Sequence, residues 1–216
     1  DLIDELWADR PSMSKDKAFL LDVKYAGESI QDKLTKVRAI MKKQNATMHI
    51  LNSLYDIAWL LNIRGNDINN TPVVLSTAVI TLDKVYYFVD EEKLNDEIKA
   101  EFNKIGIEVR NYFEIYDFVK TIQKDEVVLL DGTTVNYKLY RNIPSNVSII
   151  DAPNPTFIFK AIKNEVELKN IRECHIKDGV AMTKFMYWLK TNIGKIKITE
   201  ISASDKLEQL RRSDKD

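Results

Sequence analysis

The chain has 216 residues, 44% of them hydrophobic, which suffices for one large domain with an apolar core, alone or with smaller attachments. Its 32 lysines and arginines nearly balance 33 aspartates and glutamates, and a formal charge of −1 excludes the strongly basic surface that general nucleic-acid or anionic-membrane binders need. No apolar run reaches bilayer length and the single cysteine, Cys174, excludes an internal disulfide, so we expect a cytoplasmic protein without membrane or nucleic-acid partners.

The chain begins with an irregular stretch and then a clear helix. Residues 1–25 show no sustained hydrophobic period and are predicted to form a connector that docks through "AFLLDVKY" (18–25). Ser29 is predicted to cap a helix, and the short apolar run "TMHIL" (47–51) to form a strand. The helix has an apolar stripe of Ile30, Leu34, Val37 and Met41.

A short helix and a hairpin are predicted next. The string "SLYDIAWLLNIRG" (53–65) is typical of a helix that begins after Ser53 and ends at Gly65. Two β-rich runs, "PVVLSTAVITL" and "KVYYFVD", follow within residues 72–90. Because they meet at Asp83, they predict an antiparallel hairpin.

From residue 91 onward the pattern alternates between helical and strand-like segments. Helices are predicted at 91–105, 113–123 and 134–143, and strands at 107–110, 127–130 and 147–150. Strands separated by helices favour βαβ units with partly parallel pairing. Together with the hairpin, they predict an α/β domain over residues 26–152, with a mixed β-sheet flanked by helices on both faces.

Residues 153–216 are predicted to form a separate segment. Pro153 and Pro155 mark the boundary, since proline cannot continue a strand ladder. A helix of about 25 residues is predicted from Glu165, ending before Gly194. Thr199 is predicted to cap a closing helix. Both helices have broad apolar faces, so we expect exposed apolar surface and self-association of the isolated chain.

The inventory of reactive side chains yields no complete active site. The HExxH, GxGxxG, GxxxxGK[ST] and GxSxG motifs are all missing from the sequence. His49 lies in an apolar strand and is predicted to be a core-edge residue, whereas His175 is predicted to be solvated or to lie between helices. Cys174 is predicted to be buried, because adjacent helical residues point apart and Cys174 cannot pair with His175. We therefore assign no catalytic residue and no metal ligand to this chain.

Arg64 is the one candidate binding residue. It lies where the predicted apolar helix ends and a loop begins. At such a position a guanidinium can hold a substrate carboxylate through two hydrogen bonds. The alternative is a structural pair in which Arg64 and Asp67 pin the loop. A third possibility is a metal-free small-molecule binder that uses Arg64.

Several long strings resemble a known family and occur in the same order. These are "LIDELWADRP" (2–11), "YAGESIQDKLTKVRAIM" (25–41), "LYDIAWLLNIRGNDI" (54–68), "FVDEEKL" (88–94), "KAIKNEVELKNIRECHIKDGVAM" (160–182) and "TEISASDKLEQLRR" (199–212). Together they closely resemble the long, three-domain form of aminopeptidase P, the Xaa-Pro aminopeptidases of the creatinase/prolidase-like metallopeptidase family.

This resemblance implies an architecture of two α/β domains followed by a "pita-bread" catalytic domain. On that basis residues 1–25 are an interdomain linker, and residues 26–152 are the middle, creatinase N-terminal-like domain. Residues 153–216 are then the N-terminal helices of a truncated catalytic domain. The chain is expected to be a fragment whose partner is the rest of that domain.

The resemblance also implies a chemistry that lies outside this chain. The family removes an N-terminal residue preceding proline with water activated by two divalent ions, commonly manganese. The metal ligands are expected downstream of the last matching string, and "HIKDGVA", which contains His175, is structural in the family. The chain is therefore expected to bind no cofactor and to be inactive alone, with a structural or substrate-entrance role. The parent is expected to be a homodimer acting on peptides with proline in second position.

A second hypothesis, in which the chain is not part of an enzyme, remains open. The chain would then be a non-enzymatic α/β protein-interaction module that binds its partner through the exposed terminal helices. Continuation of the gene into a segment that supplies the metal ligands distinguishes the aminopeptidase from this module.

Overall fold

The computed structural model describes residues 2–213, which divide into two compact units, one ending at Ile162 and the other beginning at Lys163. The first unit is an α/β domain, and the second is a pair of helices. The boundary predicted from the sequence lies at residue 153. The assignment of residues 1–25, 26–152 and 153–216 to a linker, a middle domain and the start of a catalytic domain stays a prediction.

Short helices and strands alternate along the first unit. The helices are α1 (Leu2–Leu6), α2 (Val23–Ala26), α3 (Ile30–Lys43), α4 (Leu54–Leu60), α5 (Asp96–Lys104), α6 (Ile115–Phe118), α7 (Tyr137–Asn142) and α8 (Pro155–Ala161). The strands are β1 (Phe19–Leu20), β2 (Met48–Leu51), β3 (Ile63–Arg64), β4 (Ser76–Thr81), β5 (Val85–Val89), β6 (Ile107–Asn111), β7 (Val127–Leu130) and β8 (Ser148–Asp151). Single 3₁₀ turns lie at Glu91–Lys93, Tyr112–Glu114 and Val119–Thr121.

A six-stranded mixed sheet forms the centre of this unit, in the order β6-β5-β4-β2-β7-β8. Strand β4 pairs antiparallel with β2 and β5, whereas the β2–β7, β7–β8 and β5–β6 pairs are parallel. The hairpin predicted around Asp83 is β4–β5, in which Val79 lies opposite Tyr86. The predicted mixed sheet is therefore confirmed.

Each face of the sheet is covered by helices and has its own hydrophobic core. The predicted stripe of α3 is buried on one face, together with Tyr87 of β5 and Phe102 of α5. The opposite core combines Ile50 of β2 and Val128 of β7 with residues of α6 and α7. The Ser29 hydroxyl accepts a hydrogen bond from the Asp32 amide (3.1 Å) and so caps α3 as predicted.

The predicted end of the short helix at Gly65 is wrong. Helix α4 stops at Leu60, and Asn62 then adopts a left-handed φ of +48°, which asparagine tolerates better than most residues. The Asn62 side chain is held by the Lys33 ammonium (2.7 Å) and the Glu28 carbonyl (3.0 Å). Gly65 has a different role: a β-carbon there would lie 2.8 Å from Cγ2 of Val74.

The N-terminal segment is more ordered than predicted. It contains α1, β1 and α2, and β1 pairs antiparallel with β3. Docking of the "AFLLDVKY" stretch is confirmed, because Ala18 is buried and its amide donates to the Lys93 carbonyl (2.9 Å).

The second unit consists of α9 (Glu165–Asn192) and α10 (Glu200–Arg212), which pack against each other. Asn164 and Thr199 cap the two helices, the latter as predicted, and Gly194 follows α9 with a φ of +79°. None of the helices within residues 2–213 combines the length and apolar character needed to cross a lipid bilayer.

The second unit exposes apolar side chains, as predicted. Cys174 is also exposed, so the prediction that it is a buried hydrophobe is wrong. The exposed apolar residues of α9, α10 and their connection include Ile176, Val180, Met186, Tyr187, Ile193 and Ile201.

Candidate functional site

Arg64 lies at the end of β3, opposite Phe19 of β1, and its side chain is half-buried. The guanidinium Nη1 donates to the carbonyl of Ala58, in the last turn of α4, and to its neighbour Ile63 (3.0 Å). A cation at this position interacts favourably with the negative end of the α4 dipole. These contacts give Arg64 a role in ending α4, and a substrate-binding role stays a prediction.

The alternative pairing of Arg64 with Asp67 is wrong. Oδ1 of Asp67 lies 2.5 Å from Nζ of Lys93, and both side chains are only 1% exposed. The second carboxylate oxygen accepts a hydrogen bond from the Leu75 amide (2.7 Å). Asp67 therefore does pin the loop after β3, but its cationic partner is Lys93, in the 3₁₀ turn after β5.

The two histidines lie in different units. His49 is fully buried in β2, and its Nδ1 lies 3.0 Å from the Leu129 carbonyl of β7. Burial lowers the pKa of His49 to about 4, although the Leu129 hydrogen bond opposes this shift. His49 is thus a neutral core residue, deeper than the predicted core-edge position. His175 is exposed on α9.

The described residues do not fit a two-metal centre. Among residues 2–213, no group of three or more histidine, cysteine, aspartate or glutamate side chains is arranged to hold a metal ion. Nδ1 of His49 is already bonded to a carbonyl, and the buried carboxylate of Asp67 is occupied by Lys93. We therefore assign no step of a metal-activated reaction to these residues.

Two of the surface grooves formed by residues 2–213 lie in the first unit and are large enough for a small ligand, and Arg64 lines neither of these two. A groove of about 550 Å³ lies at the β4–β5 turn and includes Asp83, Lys84 and Glu126. A second groove, of about 380 Å³, lies between the segment after β1, the start of α3 and α5, and includes Leu21 and Glu101. Neither groove has a fully buried ionisable group in its lining that would mark it as catalytic.

Sequence reasoning missed three buried ionic residues. Lys33 is 1% exposed and donates to the Trp59 carbonyl (2.8 Å), and Lys93 and Asp56 are also buried. Lys33 gave a readable signal, since it occupies a position between Ile30 and Val37 on the buried face of α3. The sequence around Lys93 and Asp56 contains no such signal for burial. Each lies among charged, polar and apolar residues in a pattern that is equally compatible with an exposed surface.

Comparisons with known proteins place the chain in a family. A family model described as the Creatinase/Prolidase N-terminal domain matches residues 9–167. The chain is 34% identical over 228 residues to the probable Xaa-Pro aminopeptidase P of Sordaria macrospora, covering 100% of this chain and 37% of that protein. It is 36% identical over 210 residues to Xaa-Pro aminopeptidase 1 of Dictyostelium discoideum, covering 95% of this chain and 33% of that protein.

A solved structure is similar over the whole chain. The X-prolyl aminopeptidase from Caenorhabditis elegans, described as a cytosolic enzyme with a di-nuclear active site, superposes with a TM-score of 0.91 at 30% identity. The match covers 100% of this chain and 36% of that one. The chain thus spans about a third of the length of the relatives it matches.

Proposed function

The chain belongs to the Creatinase/Prolidase N-terminal domain family, and on this premise we propose that it works as part of a larger Xaa-Pro aminopeptidase. The observation that carries the proposal is the similarity to the C. elegans enzyme, at a TM-score of 0.91 and 30% identity over all of this chain. The fold alone does not imply an activity, and it is the identity to named aminopeptidases over the full chain that favours this one.

In this proposal residues 26–152 shape the substrate entrance, and residues 153–216 begin the catalytic domain. The substrates are peptides with proline in second position, and the enzyme is a cytoplasmic homodimer. Two divalent ions, manganese in the proposal, supply an activated water and are held by residues of the parent enzyme outside this chain. The chain alone is therefore inactive.

The experiment compares this chain with the longer protein that contains it. Both are incubated with manganese and an Xaa-Pro peptide, with the matched Xaa-Ala peptide as the specificity control. Cleavage of only the Xaa-Pro peptide, and only by the longer protein, is expected. Cleavage by the chain alone contradicts the location of the metal site, and failure of the manganese-loaded longer protein contradicts the activity itself.

Arg64 is proposed to contact substrate in the longer enzyme. Because Nη1 also bonds to the Ala58 carbonyl, Arg64→Lys is the suitable variant: it keeps the positive charge and removes the planar fork. A substrate role predicts a higher KM for Xaa-Pro peptides at a temperature where the variant remains folded. A lower melting temperature with an unchanged KM assigns Arg64 to the end of α4 alone.

The second candidate function, a non-enzymatic protein-interaction module, is favoured by one specific observation. The helices of the second unit expose large apolar residues, with Tyr187 73% and Ile201 75% exposed. In the aminopeptidase these residues are covered by the rest of the catalytic domain. Dye binding to the longer protein measures whether these apolar residues are still exposed there. If they are, and if the longer protein cleaves no Xaa-Pro peptide, the protein-interaction module is supported.

A further inference from the structure

Residues 15–22, which we call the arm, are attached to the first unit through their backbone. Strand β1 lies within the arm and pairs antiparallel with β3. Just before β1 the Ala18 amide donates to the Lys93 carbonyl (2.9 Å), and just after it the Leu21 amide donates to the Asn62 carbonyl (2.6 Å). Backbone hydrogen bonds therefore hold the arm on both sides of β1, whereas a flexible linker behaves as a random coil.

The side chains of the arm contribute unequally to this attachment. Ala18 is only 4% exposed and belongs to the same core as Tyr87. Nζ of Lys15 lies 3.0 Å from Oε2 of Glu92, but the two side chains are 66% and 65% exposed, so this ion pair contributes little. The attachment thus depends mainly on the burial of Ala18 and on the two carbonyls that accept the amides of the arm.

The first of these carbonyls belongs to a residue that a buried ion pair fixes. Lys93 ends the 3₁₀ turn after β5, and its ammonium lies 2.5 Å from Oδ1 of Asp67, with both side chains only 1% exposed. The other carboxylate oxygen of Asp67 accepts a hydrogen bond from the Leu75 amide (2.7 Å). These contacts tie the turn to the loop that follows β3, the strand with which β1 pairs.

The second carbonyl belongs to a residue that another buried ammonium fixes. Nζ of Lys33 donates to Oδ1 of Asn62 (2.7 Å) and to the Trp59 carbonyl (2.8 Å), and it lies 4.5 Å from the centre of the Trp59 ring. The left-handed φ of Asn62 is one that few residues adopt, so its side-chain contacts help to hold the backbone there. Both acceptors of the arm are therefore fixed by a buried lysine.

Stability alone does not account for two buried lysines. An ammonium group is costly to remove from water, and well-packed apolar side chains in place of a buried ion pair often give equal or higher stability. Lys33 and Lys93 are far apart in the sequence and have different partners. What they share is that each fixes a carbonyl to which the arm is bonded.

We propose that Lys33 and Lys93 are positioning residues that make the arm a rigid joint, so that the polypeptide preceding residue 15 leaves the first unit in one fixed direction. In the aminopeptidase proposed above, the arm belongs to the predicted interdomain linker, residues 1–25. The joint then orients the preceding domain relative to the substrate entrance, a role that rests on the proposed function. The attachment itself does not, because it is measured on this chain without a peptidase assay.

Amide hydrogen exchange measures the attachment residue by residue. The Ala18 and Leu21 amides report the two ends of the arm, and the Val79 amide in β4 reports opening of the central sheet. In the unaltered chain, both arm amides are expected to exchange far more slowly than the amide of the exposed residue Ser12.

Substitution of either lysine by methionine should loosen the end of the arm that it fixes. Lys33→Met is expected to speed exchange at Leu21 by about tenfold, and Lys93→Met to do the same at Ala18, since each change removes a buried hydrogen bond to an acceptor segment. Exchange at Val79 should increase less in Lys33→Met.

A double variant keeps the test decisive if Lys93→Met does not fold. Lys93→Met combined with Asp67→Asn removes the ion pair without leaving a buried charge. This chain is expected to keep Val79 protected while Ala18 still exchanges about tenfold faster than in the unaltered chain. If the ion pair only stabilised the first unit as a whole, the two amides would change together.

Lys120→Met is the matched control, because it removes an exposed ion pair with Asp117 (2.7 Å) and should leave all three amides unchanged. Arm amides that exchange as fast as Ser12 in the unaltered chain would show a free linker and overturn the proposal. It is also overturned if, in Lys33→Met and in the double variant, the arm amides change only in proportion to the sheet amide.

Discussion

Replacing Lys93 with methionine should be among the most destabilising single changes to a charged residue in the first unit. Nζ of Lys93 lies 2.5 Å from Oδ1 of Asp67, and both side chains are 1% exposed. Methionine fills most of the volume of the lysine stem but leaves the Asp67 carboxylate buried without its counter-ion. Removing one partner of a buried ion pair costs about 3–5 kcal/mol, because the remaining charge is uncompensated.

The free energy of unfolding is measured by urea denaturation with linear extrapolation. Lys120→Met is the matched control: Nζ of Lys120 lies 2.7 Å from Oδ1 of Asp117, but the two side chains are 55% and 83% exposed, so little change is expected. Asp67→Asn keeps an acceptor for the Leu75 amide. Combined with Lys93→Met, it should cost much less than the sum of the two single changes. Equal losses for Lys93→Met and Lys120→Met, or strict additivity in the double variant, would refute the reasoning.

Three further predictions concern packing, pH and association. Gly65→Ala should lower the free energy of unfolding by about 1–3 kcal/mol, because the added methyl lies 2.8 Å from Cγ2 of Val74; an unchanged urea midpoint contradicts this. His49 has a folded pKa of about 4 and an ordinary value of 6.5, so its contribution is present above pH 6.5 and falls by roughly 3 kcal/mol as the pH drops towards 4. Denaturation at pH 7 and pH 4.5 checks this, and His49→Gln should lose that part of the pH dependence. Ile176→Glu and Ile201→Glu should weaken self-association of the chain in sedimentation, whereas Tyr137→Glu, an exposed change in the first unit, should not.

Several helices and turns of this protein could be predicted from the sequence, because the interactions that form them involve residues close together in the chain. The Ser29 and Thr199 caps, the stripe of α3 and the hairpin around Asp83 each depend on neighbouring side chains and backbone groups. The mixed sheet followed from the alternation of strands and helices, and its strand order is consistent with the predicted parallel units. The ordered family strings also identified the relatives correctly.

The candidate site was less accessible to sequence reasoning. The predicted helix ran to Gly65 and so placed Arg64 in its last turn, whereas Arg64 lies in β3. Its partners are the backbone carbonyls of Ala58 and Ile63, which carry no side-chain signature. Asp67 was expected to pair with Arg64, three residues away, whereas its partner Lys93 is 26 residues away. Hydrogen-bond partners across such distances depend on how the loop after β3 folds back onto the end of β5.

The sequence by itself determined the strands of the six-stranded sheet, helices α3, α5, α9 and α10, the mixed α/β class and the family, because hydrophobic period, capping and turn chemistry are local properties. Only the tertiary structure decided that α4 stops at Leu60, and that Lys93 and Asp56 are buried beside opposite charges. A charged residue in a mixed string is equally compatible with solvent or with a buried partner. The choice depends on desolvation and on the position of the opposite charge, and both exist only once distant segments have packed together.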